Sequence, residues 1–107
     1  VKSIREGVTG NQVLEKANEI NSELGFLPMP RTGHQIGLDV HDYTMPHATN
    51  FGEIEEDKLP LKAGMTLTYE PQRRDAGTGF RGHIEDVVLV TKGDPVCLNQ
   101  MPYRVTW

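Results

Sequence analysis

One cysteine, Cys97, stands in the 107 residues, so the chain closes no internal disulfide and must be held by packing. A lone thiol fits a reducing compartment, and the cytoplasm is the expected location. No apolar run approaches the roughly 18 residues needed to cross a membrane, and no signal-peptide pattern opens the chain, so no membrane association is expected. Positive charge is also short. Lys and Arg number 11 against 15 Asp and Glu, a net charge of −4, with acidic residues gathered at Glu53, Glu55, Glu56 and Asp57. Without a basic stripe, nucleic acid is not an expected partner. An initiating methionine is missing as well. Val1-Lys2-Ser3-Ile4-Arg5 reads like the tail of a helix that starts elsewhere, which predicts a fragment, with a processed native terminus as the alternative.

What is present suits one globular domain over residues 1–107: 36% of the residues are apolar and 24% charged, while 11 Gly and 7 Pro predict many turns. The clearest helix opens at Thr9, where Thr9 and Gln12 form a capping-box pair. Val13, Leu14, Ala17, Ile20 and Leu24 then recur at helical spacing, and Gly25 supplies a stop. Pro28 and Pro30 break the chain before a Gly-punctuated segment at 33–41. Residues 44–57 are polar and acidic, as in an exposed loop, and residues 59–64 form a turn into a strand at 65–70. There Met65, Leu67 and Tyr69 face one way and Thr66, Thr68 and Glu70 the other. A turn-rich stretch at 73–82 leads to a second strand at 83–91, apolar on both faces beyond Asp86 and so expected to be central. Lys92-Gly93-Asp94-Pro95 is a turn, and a last short strand is predicted at 96–98. One helix with several antiparallel strands gives the α+β class.

A buried carboxylate is costly unless it is paired or binds a cation. Glu85 leads into the apolar run 87–90 and is expected deep in the sheet, while Glu70 ends the preceding strand. Paired as a hairpin, these strands bring both carboxylates to one place, where a metal or a shared proton lets them coexist. His34, in a loop held by Gly33 and Gly37, offers an imidazole nitrogen to the same place. One His with carboxylates suits Mn, Fe, Co or Zn in a hydrolytic two-metal site. By residue type alone, the bland alternatives are a salt-bridged or edge-exposed Glu and a surface or hydrogen-bonded core His. His47, beside Pro46, reads as a surface residue.

The order of the motifs favours the metal. Gly33-His34-x-Ile36-Gly37-Leu38-x-Val40-His41-Asp42, then Thr68-x-Glu70-Pro71, then Ile84-Glu85-Asp86 before an apolar strand resembles the pita-bread metallopeptidases, and within them the Xaa-Pro aminopeptidase and prolidase branch of the methionine aminopeptidase superfamily. The likeness spans nearly the whole chain, from Glu6-Gly7-Val8-Thr9-Gly10 onward. It implies the C-terminal half of a pita-bread catalytic domain, with an antiparallel sheet and one main helix. It also implies that His34, Glu70 and Glu85 ligate metal, that Glu70 accepts a proton, and that His41 contacts substrate and steadies the tetrahedral intermediate. Two divalent ions (Mn, Co, Zn or Fe) and a peptide with proline at the second position follow from the same resemblance. The family takes two further aspartate ligands from sequence preceding these motifs, so the site is expected to be incomplete here and the chain alone inactive.

Three positions depart from the pattern. Pro30 stands where many relatives begin His-Arg-Thr-Gly-His, Gln72 replaces the Gly after Glu-Pro, and His83 stands where the prolidase branch commonly has Arg. They keep two other readings open: a metal-dependent lyase or creatinase-like member with a non-peptide substrate, and a non-catalytic interaction module. Half of a pseudo-symmetric domain is also expected to expose apolar sheet surface, which predicts a homodimer or association with the missing half.

Overall fold

The computed structural model of the chain describes residues 1–40 and 58–100. Its elements are the helix α1 (Gly10–Glu23) and the strands β1 (Thr66–Tyr69), β2 (Gln72–Arg74), β3 (Arg81–His83), β4 (Asp86–Leu89) and β5 (Val96–Cys97). The α+β expectation holds. The predicted loop 44–57, with His47, and the candidate His41 lie outside the described residues.

The helix begins as its sequence dictates. The Thr9 hydroxyl accepts from the Gln12 amide at 3.3 Å and the Gln12 side chain accepts from the Thr9 amide at 3.0 Å, satisfying donors that the first turn leaves open. It ends at Leu24, with Gly25 following at φ +76°, a left-handed conformation that a side chain resists. The buried stripe differs from the predicted one. Gly10, Val13, Ala17 and Asn21 face inward, whereas Ile20 is 38% exposed and Leu24 58%. A polar residue takes the last inward position because backbone acceptors wait for it: Asn21 donates to the carbonyls of Leu27 at 3.3 Å and Gln72 at 3.0 Å. Asn18 exchanges two further bonds with the Met29 backbone, so two amide side chains bind the end of α1 to the segment after it and to β2.

The strands form two antiparallel ladders, β1-β4-β5 and β2-β3. In the first Thr66 faces Leu89 and Tyr69 faces Asp86; in the second Gln72 faces His83 and Arg74 faces Arg81. Both follow one register, so they are two stretches of a single hairpin interrupted at Glu70-Pro71 and at Ile84-Glu85. Continuing the count across the gap sets Glu70 opposite Glu85. Proline has no amide to give a ladder, which accounts for the interruption on its side. The predicted continuous strand at 83–91 is therefore corrected to the end of β3 and to β4, and the turn-rich stretch at 73–82 includes the last two residues of β2 and the first two of β3. The turn between them is closed by Asp75, whose carboxylate accepts from the Thr78 amide at 2.7 Å and hydroxyl at 2.9 Å, and these bonds lower its pKa.

Against the other edge of β1 runs residues 32–36. Glu70 donates its amide to the Thr32 carbonyl at 2.8 Å, Thr68 to His34 at 2.8 Å, and Ile36 to Thr66 at 3.2 Å, with Gln35 bridged to Leu67. The core lies on the α1 side of the sheet, where Ile4, Val13, Leu61, Leu67, Val88 and Val90 are buried and Val8, Met65 and Tyr69 pack against them. The predicted alternation of β1 is thus observed, and β4 is the central strand, between β1 and β5.

Leu67→Ala is expected to cost about 2–5 kcal/mol, through lost burial and the cavity left behind. Ile20→Ala should cost less than about 1 kcal/mol, since the side chain already meets solvent. Urea unfolding of the two variants measures both, and comparable losses would show that Ile20 belongs to the core after all.

Candidate metal centre

Three pieces of backbone converge at the interruption of the hairpin. Residues 32–36 deliver His34, the residue after β1 delivers Glu70, and the gap between β3 and β4 delivers Glu85. Each offers one donor atom, and the three atoms lie within 4.8 Å of one another. His34 and Glu70 are partly buried, their side chains 11% and 23% exposed, with Nε2 of His34 3.0 Å from Oε1 of Glu70. Glu85 is exposed, which corrects the expectation that it lies deep in the sheet. With the ladder broken at Ile84-Glu85, this residue is released from strand pairing; the buried carboxylate is the next one, Asp86. Asp86 faces Tyr69 on the core side, accepts from Asn99 Nδ2 at 2.8 Å, and stands apart from the three-donor group.

The histidine ring has a defined direction. Its Nδ1 lies 2.9 Å from the Gln35 carbonyl, an oxygen that only accepts, so Nδ1 carries a hydrogen and donates it. Nε2 then faces a carboxylate oxygen, also an acceptor. Nε2 and Oε1, turned to one place, are two donor atoms that a single cation could take as ligands. A ring nitrogen fixed by a backbone carbonyl while the other faces an anionic donor is the arrangement that orients a metal-binding imidazole.

Thr68, completely buried, joins the two donors. Its oxygen accepts from the His34 amide at 3.0 Å and its hydroxyl donates to Glu70 Oε1 at 2.8 Å. The hydroxyl has one hydrogen, so its 3.4 Å approach to the His34 carbonyl is the weaker choice. Sequence reasoning placed Thr68 on the correct face but gave it no role; its position two residues before Glu70 on a strand was the available signal. Tyr69 points the other way. Burial raises its phenol pKa, with the nearby Arg73 charge opposing, so the group stays neutral. His83 is exposed on β3, opposite Gln72. Among the described residues, no other group of three His, Cys, Asp or Glu side chains comes as close.

Comparison with known proteins gives a consistent result. Residues 1–92 match the sequence pattern of Metallopeptidase family M24. A probable dipeptidase PepE of Mycobacterium tuberculosis is 36% identical over 110 residues, covering 97% of this chain and 26% of that protein. Among solved structures, dipeptidase PepE from Mycobacterium ulcerans superposes with a TM-score of 0.77 at 33% identity, over 98% of this chain and 27% of that one. An X-Pro aminopeptidase from Thermotoga maritima gives 0.77 at 28% identity, over 96% and 28%. The chain thus spans about a quarter of the length of the relatives it matches.

Thr68→Val keeps the shape and removes the hydroxyl, leaving the His34 amide and Glu70 without this partner. The expected cost is about 1–3 kcal/mol in urea unfolding, with a roughly tenfold loss of divalent-metal affinity in calorimetric titration. Thr68→Ser should recover most of both, and a valine variant that binds metal normally would remove Thr68 from the site.

Proposed function

The chain belongs to Metallopeptidase family M24, and on that premise we propose that it forms the C-terminal part of a metal-dependent Xaa-Pro peptidase domain in which His34, Glu70 and Glu85 hold metal. The observation that carries this reading is the meeting of three donor atoms within 4.8 Å at the break of the hairpin. One imidazole and two carboxylates form a donor set for Mn, Fe, Co or Zn, and a dinuclear site requires more ligands than these three. The others are assigned to the rest of the protein, in keeping with the 26% of the M. tuberculosis relative that the chain spans. Substrates with proline at the second position are assigned from the names of its relatives, which include Xaa-Pro aminopeptidases and prolidases.

Bound metal supplies polarisation of the peptide carbonyl and a nucleophile at neutral pH. The chain's own residues divide the remaining work. His34 is held by the Gln35 carbonyl with Nε2 turned to the site. Glu70, oriented by Thr68, would hold metal and serve as the carboxylate that accepts a proton from water. Glu85, opposite Glu70 in the shared register, would supply the second carboxylate that holds metal. His41 is assigned to the substrate side, on the resemblance alone.

Joined to its N-terminal half and supplied with Mn²⁺ or Co²⁺, the domain should hydrolyse Xaa-Pro peptides, and the 107-residue chain by itself should not. In the complete domain Glu70→Gln should lower kcat by about a hundredfold or more with the circular dichroism unchanged. His34→Ala and Glu85→Gln should lower metal affinity, while His41→Ala should lower turnover with a smaller effect on metal. Full turnover in Glu70→Gln, or a fully metallated domain that ignores Xaa-Pro peptides and processes a small non-peptide substrate, would overturn the assignment.

A further inference from the structure

The hairpin carries a second chemical feature beside the three donors. Arg74 on β2 faces Arg81 on β3 directly across the ladder. Like charges so opposed repel, and the pairing is unfavourable until an anion lies between them. Among the described residues the ion pairs are Lys16 with Glu19 and His34 with Glu70, and neither arginine takes part.

Arg73 shows which way its neighbour points. Its guanidinium turns toward α1, bonded to Asn21 Oδ1 and lying 5.5 Å from the centre of the Phe26 ring. Side chains alternate along a strand, so Arg74 and its partner Arg81 occupy the opposite face. Glu70 and Glu85 share that face, because the two ladders keep one register across the gap. The Gln72–His83 pair lies between the carboxylates and the arginines. Arg81 leans back over it, its Nη2 reaching to 3.5 Å from Gln72 Oε1, toward the candidate metal centre. Gln72 is two residues from Glu70, about 7 Å along an extended strand.

We propose that Arg74 and Arg81 form an anion subsite that takes the terminal carboxylate of a short peptide whose scissile carbonyl lies at the Glu70–Glu85 pair. The peptide rests on the peptidase reading; the anion rests on the hairpin alone. Two residues of extended peptide span about 7 Å, so the matching substrate ends two residues beyond the bond that is cut. The planar donor forks of two arginines suit a carboxylate, which also relieves their mutual repulsion. The Gln72–His83 pair separates this fixed charge from Glu70 and Glu85, and this spacing favours tripeptides over dipeptides.

The test uses the complete metal-loaded domain and a reduced-bond Ala-Pro-Ala analogue, which cannot be cleaved, prepared as free acid and as C-terminal amide. Calorimetric titration should show the acid binding about tenfold more tightly than the amide, a factor in keeping with a charge-assisted hydrogen bond. The double variant Arg74→Gln, Arg81→Gln should abolish that preference and leave amide affinity within about twofold, since only charge-assisted bonds to the carboxylate are removed. Equal affinity for acid and amide, failure of both to bind, or a preference that survives the double variant would overturn the subsite. Cleavage of ordinary Ala-Pro-Ala is scored separately: an acid preference without any cleavage supports the subsite and counts against the peptidase reading.

Discussion

Antiparallel pairing of Thr66–Tyr69 with Asp86–Leu89 decides which residues meet across the hairpin, and the candidate site inherits its geometry from that register. The same register reappears beyond the gap, where Gln72 meets His83. A slip of one residue would send Leu67 and Val88 to the donor face and turn Glu70 toward the core. Burial of Leu67, Val88 and Val90 against Val13 therefore does more than stabilise the sheet; it sets the carboxylates on the side away from α1. The interruption at Glu70-Pro71 then frees the carboxylate region from ladder bonds while the two flanking ladders hold it in place.

The polar half of the structure follows from the same constraint. The edge segment 32–36 binds to β1 by three backbone bonds, which brings His34 to the level of Thr68 and lets one hydroxyl tie imidazole-bearing backbone to carboxylate. Asn21 fixes the other end of the hairpin, from the helix, by taking the Gln72 carbonyl. Core packing sets the register, and side-chain hydrogen bonds at both ends of the gap set the angle at which the donors face each other.

Periodicity made much of this legible in the sequence. The capping box at Thr9, the stop at Gly25 and the alternation from Met65 to Tyr69 are local signals, and each is realised. Signals that belong to a partner strand were not legible. Residues 83–91 read as one strand because nothing within them breaks it; the break at Ile84-Glu85 lies opposite the proline of another strand. The arginine-rich β2 and β3 read as turn because their composition lacks the usual apolar alternation. Asn21 was passed over because its reason to be buried, two backbone carbonyls at Leu27 and Gln72, is tertiary. The meeting of His34, Glu70 and Glu85 was anticipated from motif order rather than from residue type, and the exposure of Glu85 was missed because its burial was inferred from the apolar residues that follow it.

The direction of the His34 ring has a further consequence for the site as a whole. With Nδ1 turned to the Gln35 carbonyl, Nε2 is left facing Glu70 Oε1 at 3.0 Å, so an imidazole nitrogen and a carboxylate oxygen point to one place. Thr68, completely buried, donates to the same Oε1 and helps keep that oxygen in position. Backbone and hydroxyl groups of residues 34, 35 and 68 thus take part in holding His34 and Glu70 together.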